Sequence, residues 1–267
     1  MDIYPSIEEY IEACDKPGLQ DKASHSSSEN RGTRTFAEAL KIARQGWAEG
    51  AEQAKALGMR IASDLHVHED YKKTWKLSVQ GGGNLVLPNY IQGKPECFRH
   101  YARVSVPKFI HIVFNGTASW GVTTESLIKK GVACAAVVDM LETHGFRCKV
   151  DKSVVNSGVS DKSYIESITT LKDYGESLDI DRLVFFLAHP SSFRRLEFAR
   201  WEYLGIKIGG NFREEVGIDN NYGLQAESRD QGDIYFQKSR LHTGWDNEEE
   251  AEIKIREILK AQGLELD

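Results

Sequence analysis

The sequence predicts an α/β fold, a mostly parallel sheet flanked by helices with an N-terminal helical extension. Three observations carry that prediction. Phe109 to Phe114 is a short apolar, β-branched run, as expected of a strand buried on both faces. A helical pattern follows it, which Thr123 or Thr124 can start, apolar at Leu127, at Ala133 to Val138 and at Leu141, and stopping at Gly145. Phe146 to Val150 then reads as the next strand, so Val106 to Val150 is a βαβ unit, which calls for parallel neighbours. A hydrophobic fraction of 40% over 267 residues is enough for a substantial core without disulfides or metals.

The remaining elements follow in chain order. Ser6 is placed to cap a first helix reaching Cys14, with Glu8 and Glu9 favourable in its first turn. Residues 16–34 are polar and of low complexity at 24–30, and are expected to form a loop or linker. A second helix is predicted from Thr35 to about Gly58. Phe36, Leu40, Ala43 and Trp47 form its apolar stripe, Thr35 and Glu38 a capping box, and Gly46 and Gly50 lie inside it beside Trp47. Gly81 to Gly83 read as a flexible turn, because the Lys and Ser or Thr of a phosphate-binding loop do not follow them.

Beyond the βαβ unit, Tyr164 to Leu171 alternates like a strand. Asp179 to Leu204 reads as helical with a break at Pro190, and Ile234 to Phe236 as a short strand. A last helix spans Glu248 to Gln262, capped by Asn247, acidic at its start and basic at its end. The expected division is residues 1–34 as helix and linker, 35–104 as a helical or irregular extension, and 105–267 as the α/β domain.

Composition excludes some function classes. A net charge of −6 argues against blanket attraction to nucleic acid or anionic membranes, while leaving room for a local basic strip. No run approaches the roughly 18 apolar residues a membrane helix needs, and the first ten residues lack a signal peptide's apolar core. Cys14, Cys97, Cys134 and Cys148 form no C-x-x-C pair and are expected to be free thiols in a reducing cytoplasm.

Four groups are candidates for chemistry. Asn115, Thr117 and Ser119 follow the buried strand, where parallel sheets bind ligands. Their oxygens are spaced as for a magnesium ion, with an uncharged amide where an Asp would serve better. In Asp64-Leu65-His66-Val67-His68, a strand would put both imidazoles on one face, the geometry of a metal-ligand pair. Arg194 and Arg195, after His189, Pro190, Ser191 and Ser192, are cations that could grip a carboxylate or a phosphate, that of a nucleic acid included, though as neighbours they point apart. Lys72, Lys73, Trp75 and Lys76, with Arg99, His100, Tyr101 and Arg103, combine charge with aromatic rings, as surfaces for single-stranded nucleic acid do.

Three resemblances rest on these residues. The string from Asp64 to Asp70, with His189-Pro190, resembles motifs of the polymerase-and-histidinol-phosphatase metallohydrolases, which implies metal ligation by Asp64, His66, His68 and His189. The segment from Phe109 to Val150 resembles the opening of a von Willebrand A domain, a Rossmann-like fold. Its metal-ion-dependent adhesion motif corresponds here to Asn115, Thr117 and Ser119. The helix around GWAEG, the segment NYIQGKPECF, the βα unit and LAHPSSFRRLEFA are similar to uncharacterised bacteriophage-encoded proteins, which implies action in the bacterial cytoplasm.

The first expectation is a non-catalytic module that binds a protein partner through its von Willebrand A-like loops, with no required cofactor. A single-stranded nucleic-acid accessory factor for phage replication or transcription is the alternative, and a metal-dependent phosphoesterase is the third.

Overall fold

The structure is a computed structural model that describes residues 2–15, 31–62, 65–66, 71–105, 108–118, 122–157, 164–201, 224–225, 227–239, 245, 247–261 and 265–266. In chain order these form β1 (Asp2–Tyr4), α1 (Ile7–Cys14), α2 (Phe36–Gln45), α3 (Ala48–Ala62), β2 (Leu65–His66), β3 (Tyr71–Ser78), β4 (Asn84–Leu85), α4 (Leu87–Ile91) and β5 (Phe98–Ser105). They continue as β6 (Lys108–Asn115), α5 (Thr124–Thr143), β7 (Phe146–Ser157), β8 (Tyr164–Lys172), α6 (Ile180–Ala188), β9 (Leu224–Gln225), β10 (Ile234–Phe236), α7 (Glu248–Ala261) and β11 (Glu265–Leu266).

The main sheet has the order β1-β8-β7-β6-β10, with β9 paired to the end of β7. It is mixed and mostly parallel. β1 runs parallel to β8 and β10 parallel to β6, while β7 and β8 form an antiparallel pair with an irregularity between Val150 and Asp151. Helix α5 is the crossover between the neighbours β6 and β7, as the βαβ pattern requires. The edge strand β1 was not foreseen, because three residues are too few to show a period.

The capping residues act as their sequence positions suggest. Ser6 Oγ accepts from Glu9 N at 3.2 Å, Thr35 Oγ1 from Glu38 N at 3.1 Å, Thr123 Oγ1 from Ser126 N at 3.1 Å, and Asn247 Oδ1 from Glu250 N at 2.8 Å. One expectation is corrected: the helix drawn from Thr35 to Gly58 is two helices. Gly46 ends α2 with φ +89°, and a Cβ there would lie 2.5 Å from Asp181 Cβ. Trp47 N then donates to Asp181 O at 2.8 Å before α3 begins. Only glycine combines that backbone with that closeness. The apolar periodicity runs on past the break and conceals it.

The core is centred on α5, whose residues from Lys130 to Val138 are all buried, packed against α6 and α3. Gly131 makes the α5–α6 approach possible, since a Cβ there would lie 2.3 Å from Ala188 Cα. All four cysteines are buried and free. Among the described residues no helix is long and apolar enough to cross a membrane.

Contacts divide the chain into two units, Met1–His66 with Phe109–Asp267, and Val67–Lys108. The first holds the main sheet, its helices and the small β2–β11 pair. It also takes in β1 and α1, whose Tyr10 and Cys14 are fully buried, so the N-terminal residues are part of the core instead of a separate extension. The second unit is a three-stranded antiparallel sheet of order β3-β5-β4. The sequence-based boundary at residue 104 falls inside β5.

Candidate nucleic-acid interface

In the second unit, β3 and β5 are opposed residue for residue. Lys73 faces Arg103, Trp75 faces Tyr101 and Leu77 faces Arg99, and Asn84 of β4 faces Arg99 from the other side. Directly opposed residues share a face and alternate residues repeat it, so these seven positions lie on one face of the sheet. The cluster read along the chain is thereby split: Lys72, Lys76 and His100 belong to the opposite face.

Trp75 and Tyr101 stack with ring centroids 3.7 Å apart and planes inclined by 29°. The Arg99 guanidinium lies 4.8 Å from the Trp75 ring, a cation–π contact. Both rings remain open to solvent, Trp75 at 42% and Tyr101 at 61% exposure. Lys73, Arg99 and Asn84 are exposed beside them. The segment from Val67 to Lys108 carries seven Lys and Arg against three Asp and Glu, in a chain whose net charge is −6. The second unit is therefore basic within an acidic chain, and Lys73 and Arg99 lie on the same face as these rings.

The other candidate residues are placed differently. Arg194 and Arg195 were expected to reach a nucleic acid, but they hold the first unit together. Arg195 is fully buried, its Nε donating to Thr33 Oγ1 at 2.8 Å and its Nη2 to Thr33 O at 2.6 Å. Arg194 donates to Thr124 Oγ1 at 3.0 Å and to Val122 O at 3.3 Å. Their neighbours Ser191 and Ser192 are buried as well. Lys152 Nζ donates to Ser192 Oγ at 2.5 Å, beside a cavity of about 20 Å³, which has room for a water and not for a substrate.

Asn115 and Thr117 are buried at the end of β6, and Ser119 lies outside the described residues. Asn115 Oδ1 accepts from Thr117 N at 3.0 Å and its Nδ2 donates to Tyr235 Oη at 3.0 Å. Thr117 Oγ1 donates to Val155 O and accepts from Val155 N. Lys130, also buried, donates to Asn115 O at 2.6 Å, and its burial lowers its pKa to about 7. The oxygens are committed to hydrogen bonds inside the fold and an amine lies against them. Neither Asn115 nor Thr117 supplies the anionic oxygen that a divalent cation prefers.

Asp64 and His68 lie outside the described residues, and the His66 backbone pairs with Glu265. His189 is buried, stacked on Phe185 and edge-on to Trp47, with its pKa lowered to about 4 by burial. Its Nδ1 accepts from Ser191 N at 3.2 Å, the role of a loop residue that precedes a helix. Among the described residues, no three His, Cys, Asp or Glu side chains gather where a metal ion could be held.

Two polar features escaped the sequence. Asn84 has no local signal, because its place beside Arg99 is set by pairing with a strand fourteen residues later. His111 on β6 bonds Asp151 on β7, Nε2 to Oδ2 at 2.8 Å, and Asp151 also receives Thr170 Oγ1 at 2.7 Å and Lys149 Nζ at 2.9 Å.

Comparison with known proteins gives a family and no function. No curated protein and no solved structure matches the chain. A family described as Domain of unknown function (DUF7192) matches residues 1–266, so the chain belongs to that family.

Proposed function

We propose that this protein binds single-stranded nucleic acid through the β3–β5 face of its second unit. One observation carries the proposal: Trp75 and Tyr101 form an exposed aromatic platform with cations at the next register positions on either side. Bases stack on exposed rings whatever their sequence, and Lys and Arg beside them neutralise the phosphates. A duplex hides its base faces, so a stacking platform favours single strands. The bacteriophage resemblance would place this activity at strands exposed in phage replication or transcription. The test is fluorescence anisotropy of the purified chain with a labelled single-stranded oligonucleotide. Binding that weakens with salt and on Trp75→Ala or Tyr101→Ala is expected; absent or salt-insensitive binding would overturn the proposal.

A protein partner is favoured by a separate observation. Leu85, Leu87, Tyr90 and Ile91, on β4 and α4, are all exposed, a concentration of apolar surface that marks interaction sites. The von Willebrand A-like fold proposed for the first unit suits the same role, without the metal of the adhesion motif. A tagged pull-down from phage-infected cells, with and without nuclease, separates the two. A partner that survives nuclease supports the protein interface, and loss of all captured material supports nucleic acid.

A further inference from the structure

Independently of the nucleic-acid surface, we infer that the first unit binds a small organic anion with a ring-shaped apolar body, in a cavity between α3, α5 and α7. The cavity measures about 880 Å³, against about 20 Å³ for the one beside Ser192. Sites for small molecules fall between about 300 and 1,000 Å³. Helical spacing builds its walls. Its lining runs from Gln53 to Arg60 on α3 and from Thr124 to Val132 on α5, about two turns of each helix and roughly 10–12 Å in length. Ala251 of α7 supplies a third wall, and Arg60 Nε ties α3 to Glu252 Oε1 of α7 at 3.3 Å. A cavity of that volume and length is much wider than a single alkyl chain and suits a body of two or three rings.

Exposure separates a floor from a mouth. Leu57, Val132 and Ala251 are buried and Ile128 is half-buried, so the deep surface is apolar. Arg60 and Glu125 are exposed and Lys129 is half-buried, so the charges stand nearer the solvent. Two of these three charged residues are cations, and they come from different walls. Arg60 is paired with Glu252, and Lys129 with Glu125 at 2.7 Å, each pair having at least one well-exposed partner. Exposed ion pairs contribute little, so these carboxylates are weak competitors. An anionic group at the mouth, screened from water by a body lying on the apolar floor, meets the same cations at a lower effective dielectric.

The test uses two fluorescent probes titrated into the full chain: anilinonaphthalene sulfonate, and phenylnaphthylamine, which has the same rings without the sulfonate. Tighter binding of the sulfonate, by about tenfold, is expected, as for one charge-assisted contact. Replacing both cations, Arg60→Ala with Lys129→Ala, should remove that margin by weakening the sulfonate alone. Ala56→Trp puts an indole into the cavity from an exposed lining position on α3 and should weaken both probes by about tenfold or more. Ala56 is exposed, so this variant keeps its fold, which circular dichroism verifies. Tyr90→Ala, in the exposed apolar cluster of the second unit, should change neither affinity. Failure of both probes to bind, or binding that survives Ala56→Trp, would overturn the site. Equal affinities in the unmodified chain, or a margin that survives loss of both cations, would overturn the anionic assignment.

Discussion

Trp75 and Tyr101 stand directly opposite each other across the β3–β5 ladder and stack at 3.7 Å, so the two rings act as one surface. Replacing either with alanine should weaken single-strand binding by about 1–3 kcal/mol, the loss of one stacking contact. Because the rings support each other, the double variant should lose less than the sum of the single losses. Anisotropy titrations of the three variants measure this directly.

Arg99 and Arg195 should respond in opposite ways. Arg99→Ala removes an exposed cation beside the platform and should reduce the slope of log affinity against log salt by about one phosphate contact. Arg195→Ala should leave that slope unchanged. It strips the bonds to Thr33 from a fully buried site and should lower stability by about 1.5–3 kcal/mol in urea unfolding.

The His111–Asp151 pair makes stability depend on pH. The hydrogen bond to Asp151 raises the His111 pKa, with the Asp151 charge adding to it against partial burial. A raised folded value means the folded state holds the proton more tightly. The stabilisation is complete below the unfolded histidine value near pH 6.5 and is lost as pH rises through the higher folded value. Burial alone would push Asp151 up, but the bonds from His111, Thr170 and Lys149 prevail and lower it, so its share is lost in acid. Thermal unfolding followed from about pH 5 to about pH 9 should show stability declining on the alkaline side. The His111→Gln variant should lack that decline.

Gly131→Ala gives a test of the α5–α6 contact. Helix propensity alone would favour alanine by about 1 kcal/mol. The Ala188 backbone occupies the space the new methyl would need, and overpacking of this kind costs about 1–3 kcal/mol. A lower denaturation midpoint with an unchanged m-value is expected.

The legible part of this protein lies in features that repeat within a few residues. The buried strand β6, helix α5 and strand β7 show in the local apolar pattern, and the caps at Ser6, Thr35, Thr123 and Asn247 show in single side chains. The platform was half legible. Its residue types stand out along the chain, yet strand alternation sends Lys76 and His100 to the opposite face and brings Asn84 onto the platform's own.

By itself, then, the sequence determined the βαβ unit, the helix caps and the presence of basic-aromatic segments, because each depends on neighbours within about one turn or one strand. Tertiary structure alone decided that Gly46 ends a helix against Asp181, that Arg195 is buried on Thr33, and that His111 meets Asp151. Register and burial arise between segments tens to more than a hundred residues apart. A local pattern carries no record of which of them will meet.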